Sequence, residues 1–128
     1  MKFTIGLDEI ETLLNMAGGK RPKKGATFLL FACAARVFVQ TSDGTAGIES
    51  LVFADGGVKL AIKTFREVLK TYKGTLFLTM EASANGMRIQ NFAMPVLGYD
   101  PRPVAPAEFK MFASGSSAAL LGEKGRGI

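Results

Sequence analysis

Four cations recur at helical spacing in the middle of the chain. Lys63, Arg66, Lys70 and Lys73 lie within VKLAIKTFREVLKTYK, residues 58–73, and at 100° per residue they share one stripe, with Thr64, Glu67 and Thr71 set apart. A second group, Lys20, Arg21, Lys23 and Lys24, puts four positive charges into five residues of the segment GGKRPKKG. Nine of the sixteen Lys and Arg fall in two short stretches, Lys20 to Lys24 and Lys59 to Lys73, and the formal net charge is +5. Clustering of this kind suits a polyanion, because neutralising several neighbouring phosphates releases several counterions together. A solvated face that merely keeps a domain soluble has the same pattern, so the stripe alone does not separate the two readings.

Other chemistries lack their residues. The sequence has no histidine, which removes the usual proton shuttle and the commonest metal ligand, and its one cysteine, Cys33, can form neither an internal disulfide nor a zinc site. Cys33 sits in the apolar run from Phe28 to Ala35 and reads as a buried structural thiol. Asp8, Glu9 and Glu11 belong to one helix start, where negative charge complements the helix dipole, and the remaining acids are scattered through turns. The loop from Gly18 to Thr27 has the composition of a Walker loop but not its spacing, since Gly25 precedes Ala26 and the segment leaves a helix for a strand. The ten phenylalanines lie mostly at alternating strand positions, which indicates core packing before base stacking. No catalytic residue, metal or cofactor is expected, and the chain reads as a non-enzyme.

The elements that must position the cations follow from periodicity and breakers. Lys2 to Ile5 alternates as a strand. Leu7 to Ala17 has the helical face Leu7, Ile10, Leu14 and Ala17, and Gly18-Gly19 with Pro22 ends it. Ala26 to Ala32, Arg36 to Thr41 and Ala46 to Ala54 read as three strands, the first two joined around Ala34 and the last two by Ser42-Asp43-Gly44. The order then repeats. Val58 to Ala61 reads as a strand, a basic helix with Ile62, Phe65, Leu69 and Tyr72 on one face runs to about Lys73, and Gly74 stops it. Thr75 to Ala82 and Met87 to Asn91 make a hairpin with a type I′ signal at Asn85-Gly86. Ala93 to Tyr99 closes the second half with Pro95 at an edge or bulge, and Glu108 to Phe112 is one last strand. Two halves of about fifty residues imply a pseudo-twofold α+β fold with two helices and two antiparallel sheets.

One domain is expected from 128 residues with 48% hydrophobic and 21% charged content. The longest apolar run is too short for a membrane span, and the N-terminus reaches acidic residues by position 8 without a signal core, so no membrane partner and a cytoplasmic setting are expected. Residues 113–128 read as a Gly/Ser/Ala-rich tail.

Read together, these features resemble one domain of the bacterial sliding clamp, the beta subunit of the replicative DNA polymerase. MKFT opens the first strand, a helix ends in Gly18-Gly19, and Arg21-Pro22 follows, as Gly-Gly-Arg-Pro follows helix one in the clamp's first domain. The Asp43-Gly44 turn, the strand running into the basic helix and the hairpin around Asn85-Gly86 come in matching order. The resemblance covers residues 1–112 and departs after Arg21-Pro22, where the family continues Thr-Leu-Pro-Ile-Leu and this chain has Lys23-Lys24-Gly25-Ala26-Thr27. It implies a DNA-clamp fold, strand-helix-three strands repeated twice with both helices on one side, and a processivity role in DNA replication. It further implies that Lys20, Arg21, Lys23, Lys24, Lys63, Arg66, Lys70 and Lys73 meet the backbone of duplex DNA without reading its sequence.

Asp8, Glu9 and Glu11 would oppose DNA if they faced it. A clamp subunit strings three such domains together and closes a ring of six by dimerising, so encirclement by this chain would take six copies and a homo-oligomer is expected. Replication or repair proteins are the further partners implied. The alternative is a clamp-derived protein-interaction domain that does not encircle DNA.

Overall fold

The computed structural model describes residues 1–18, 21 and 23–111. Lys20 and the tail at 113–128 lie outside the described residues. The first half runs β1 (Lys2–Gly6), α1 (Leu7–Met16), β2 (Thr27–Cys33), β3 (Arg36–Thr41), β4 (Gly44–Glu49) and β5 (Leu51–Ala54). The second runs β6 (Gly56–Ala61), α2 (Ile62–Lys70), β7 (Phe77–Ser83), β8 (Gly86–Ile89), β9 (Phe92–Met94), β10 (Gly98–Asp100) and β11 (Lys110–Met111). This is the expected repeat of strand, helix and strands. The strands form a five-stranded sheet in the order β5-β1-β7-β8-β9 and a six-stranded sheet in the order β10-β6-β2-β3-β4-β11.

Both sheets and both helices close on one core. Alternation sends Phe3 and Ile5 of β1, Phe28 and Leu30 of β2 and Leu78 and Met80 of β7 into a single buried cluster with Ile10, Leu13 and Leu14 of α1 and Phe65 and Leu69 of α2. The Phe28 and Phe65 rings meet at 5.1 Å, tilted by 57°, and seat α2 on the six-stranded sheet. At the other end of that helix the Tyr72 hydroxyl donates to the Ile89 carbonyl at 2.9 Å, which ties it to the five-stranded sheet.

Several boundaries differ from the sequence reading, each for a local reason. Ala46 to Ala54 is not one strand, because the chain changes sheet at Ser50: β4 pairs with β3 and β5 with β1. Ala93 to Tyr99 likewise divides between the sheets, as β9 pairs with β8 and β10 with β6 across the break at Pro95, which has no N–H to continue a ladder. Of Glu108 to Phe112 only Lys110–Met111 is a described strand, and it runs parallel to β4, so the six-stranded sheet is mixed. The basic helix ends at Lys70, which leaves Tyr72 and Lys73 in the following turn.

The type I′ signal sits in the other hairpin. Asn85 does not take positive φ, whereas Ala34 and Ala35, at φ 53° and 60°, hold the two-residue loop between Cys33 and Arg36. Positive φ at both loop residues is the type I′ signature, whose twist matches the flanking strands. The alanines that occupy it are strained by about 1–2 kcal/mol each.

Away from the main core, Phe31, Cys33 and Phe38 form a second buried cluster covered by Phe109. Burial pushes the Cys33 thiol above its ordinary value, as expected of a structural cysteine. Gly47 is needed beneath this cluster, since a Cβ there would stand 2.7 Å from the Phe38 ring and 3.0 Å from that of Phe109.

Replacing the strained loop by the residues its conformation prefers, Ala34→Asn with Ala35→Gly, should stabilise the protein by about 1 kcal/mol. Urea unfolding would measure it. A destabilised double variant would contradict the type I′ assignment.

Candidate nucleic-acid interface

The exposed side of α2 carries the charge. Ile62, Phe65, Val68 and Leu69 are buried, so the helical period turns Lys63 and Lys70 to solvent and leaves Arg66 half-buried at the flank. Among the described residues neither Lys63 nor Lys70 is paired with a carboxylate. The start of this helix is also cationic. Its N-cap, Ala61, makes no side-chain cap, its first turn holds no acid, and Lys63 stands where the helix dipole is already positive. Local stability would favour an acid at that position; the sequence instead adds positive potential to positive potential.

The basic loop is held against this same helix start. Ala26 N donates to the Lys23 carbonyl and Ile62 N donates to the Ala26 carbonyl, both at 3.0 Å, while Thr27 and Ala61 are ladder partners. Exposed Lys23 and Lys24 therefore neighbour Lys63 across a strand pair. Arg21 is exposed in the same loop. The loop leaves α1 at Gly18, whose φ of +98° and distance of 2.6 Å from a would-be Cβ to the Asp43 Cβ leave room for glycine alone. The last carbonyls of α1 are anchored: Thr41 Oγ1 donates to the Ala17 carbonyl, and Lys110 Nζ donates to that of Met16 at 3.0 Å.

The two helices meet at their polar sides. Arg66 Nη2 donates to Asn15 Oδ1 of α1 at 2.8 Å. Arg66 is thus an interhelix tether as well as part of the basic stripe, a role that no sequence signal announces because its partner lies 51 positions away. The structure puts Lys63 and Lys70 on the exposed side of α2, with the loop of Lys23 and Lys24 beside the helix start and Lys70 at its other end. Lys73 follows in the turn after α2, and Lys20 is not described. Lys59, which belongs to the basic stretch of the sequence, points the other way: its ladder partners Leu29 and Gly98 put it on the far face of the six-stranded sheet.

The acids of α1 separate into two kinds. Glu9 is 1% exposed and its Oε1 accepts the Gly6 N–H at 2.9 Å, so it closes the helix start and presents no charge outward. Asp8 is exposed and Glu11 half-exposed. An acid three residues past the N-cap is a known capping signature, so the sequence did contain the signal that sets Glu9 apart. Among the described residues no group of three acids or cysteines could hold a metal ion, and no helix is long and apolar enough to cross a membrane.

Comparison with solved structures returns bacterial sliding clamps. No family model and no curated protein matches the sequence. Among solved structures, the DNA polymerase III beta subunit of Borrelia burgdorferi superposes with a TM-score of 0.65 at 12% identity over 76% of this chain and 31% of that one. The Caulobacter crescentus polymerase sliding clamp gives 0.61 at 19% identity over 90% and 33%. The Helicobacter pylori beta clamp bound to a DNA ligase peptide gives 0.61 at 16% identity over 77% and 31%. The chain has the fold of a sliding-clamp domain and spans about a third of the length of these clamps.

If Glu9 serves α1 rather than a ligand, Glu9→Ala should cost about 1–2 kcal/mol in urea unfolding, while Asp8→Asn should change stability by less than about 0.5 kcal/mol. Equal effects of the two substitutions would remove the distinction between the buried and the exposed acid.

Proposed function

We propose that this chain is a non-enzymatic, processivity-type DNA-binding module that holds the backbone of duplex DNA through its basic helix and loop and acts as a homo-oligomer. The observation that carries the reading is that the loop of exposed Lys23 and Lys24 adjoins the start of α2, whose outward side carries Lys63 and Lys70 and whose first turn holds no acid. Arg21, Arg66, Lys73 and Lys20 extend the surface in the same reading. Lysine and arginine at such positions meet phosphates, which positions a duplex without selecting a sequence. The likeness to solved clamp domains supports a role in replication, since those proteins are polymerase III beta subunits and sliding clamps.

Encirclement by copies of this domain alone would take six of them, which is why self-association belongs to the proposal. Residues 1–112 would form the working domain and 113–128 a tail, in a cytoplasmic setting. Replication or repair proteins are further partners in this reading, a class suggested by the DNA ligase peptide bound to the Helicobacter pylori clamp.

A second reading, a clamp-derived domain that binds proteins and never surrounds DNA, is favoured by one observation. Asp8 and Glu11 on α1 keep the two helices from presenting a uniformly positive surface.

Duplex affinity should fall steeply with salt. With about five phosphates neutralised, log K against log salt should have a slope near −4 to −5. Titration of a labelled duplex of arbitrary sequence at several salt concentrations measures it, and affinity indifferent to salt would exclude the proposal. The triple substitution of Lys63, Arg66 and Lys70 by Ala should reduce the slope by about 3 while leaving the circular dichroism spectrum folded. An unchanged slope would take the basic helix out of the interface.

A further inference from the structure

The C-terminal end of α1 is closed by residues from elsewhere in the chain. A helix leaves its last carbonyls without partners, and cations near its end ordinarily complement the negative pole of its dipole. The last turn of α1 has no basic residue. The N–H groups of Ala17 and Gly18 turn back to the Leu13 and Asn15 carbonyls, and the carbonyls of Met16 and Ala17 lie beyond that reach. Lys110 Nζ serves the first from 94 positions away, and Thr41 Oγ1 serves the second from 24.

Thr41 binds the inner of these two sites. Its side chain is half-buried, and Ala17 is 1% exposed, so solvent has little access to the carbonyl that Thr41 serves. The same hydroxyl accepts the Asp43 N–H at 3.0 Å, so one side chain ties the β3–β4 turn to the helix end. The turn is packed closely there. A Cβ at Gly18 would stand 2.6 Å from that of Asp43, and one at Gly44 3.8 Å from the Ala17 carbonyl oxygen. Gly18 has no side chain with which to hold its own direction, so the exit of the chain from α1 is set from outside, by this turn.

That exit is one of two anchors of the basic loop. The other is at the start of α2, where the Lys23 carbonyl accepts the Ala26 N–H and the Ala26 carbonyl accepts the Ile62 N–H, both at 3.0 Å. We propose that Thr41 is a positioning residue for the basic loop: it fixes where the chain leaves α1 and so holds Lys23 and Lys24 beside Lys63. The effect on binding rests on the DNA reading above; the effect on the loop does not. Thr41 carries no charge and lies outside the cations of that reading, so it acts on a polyanion only through the residues it holds.

Limited trypsin digestion and duplex titration, both on the full chain, test it together. Thr41→Val keeps the β-branched shape that suits a strand and removes both hydrogen bonds, whereas Thr41→Ser keeps the hydroxyl. Under native conditions Thr41→Val should raise the rate of cleavage after Lys23 and Lys24 about fivefold or more, the factor expected for one lost buried hydrogen bond, with Thr41→Ser close to wild type. Cleavage after Lys59, inside β6, should not change, which separates release of the loop from global opening. At fixed salt Thr41→Val should weaken duplex binding about threefold to tenfold, with no further effect in a chain that also carries Lys23→Ala and Lys24→Ala, because the groups it positions are then absent. A merely structural role would lower affinity by the same factor in both backgrounds.

Unchanged cleavage after Lys23 and Lys24 in Thr41→Val overturns the proposal, as does unchanged affinity for a duplex that the wild type binds. So does an equal loss of affinity in the two backgrounds, or a Thr41→Ser chain that behaves as Thr41→Val. A wild-type chain that binds no duplex retires the DNA reading, and the digestion then decides by itself whether Thr41 holds the loop.

Discussion

The packing of Phe65 on Phe28 governs the surface chemistry of this domain. Once that pair is buried with Ile62, Val68 and Leu69, the azimuth of α2 is set, and the helical period places Lys63 and Lys70 outward. The same seating brings Ala61 into register with Thr27 and so delivers the loop carrying Lys23 and Lys24 to the helix start. Rotation of α2 by a third of a turn would bury a lysine, which is costly for an unpaired charge. Core packing and the outward placement of positive charge are therefore two faces of one constraint, and the Arg66–Asn15 bond extends it to α1.

The opposite side of the molecule is arranged differently. The outward face of the six-stranded sheet has a second aromatic cluster under Phe109 and a glycine-floored groove, and the five-stranded sheet ends in an uncharged edge with a bulged Phe53. The exposed cations Lys63 and Lys70 thus lie on a helix, and the exposed apolar residues Leu51 and Phe53 on a sheet edge.

Much of the fold was legible because its signals are local. The face Leu7, Ile10 and Leu14, the glycine at position 18 and the alternation in β2 and β3 each act within a few residues, and the structure keeps these elements with boundary shifts of at most one position. The basic stripe was legible for the same reason, as was the burial of Cys33 inside an apolar run. The failures share a different character. A strand that changes sheet at Ser50 and a parallel β11 depend on which distant segment completes a ladder, and no local residue type encodes the partner; the left-handed Ala34-Ala35 loop is local, but alanine is not a residue that signals positive φ. Glu9 stands between these cases: its position three past the N-cap is visible in the sequence, but its burial is not.

By itself the sequence determined the order of elements, the apolar face of each, the density of positive charge in two segments and the poverty of catalytic and metal-binding side chains. Those properties follow from period, breakers and composition, which act along the chain. Tertiary structure alone decided that the loop at Lys23 and Lys24 adjoins the start of α2, that Arg66 reaches Asn15, that Lys59 faces away from the other cations and that Phe53 stands on a bulge. Each of those is a relation between residues far apart in sequence. Such relations are fixed only when the strands pair and the core closes, because one step of register moves a side chain from one face of a sheet to the other.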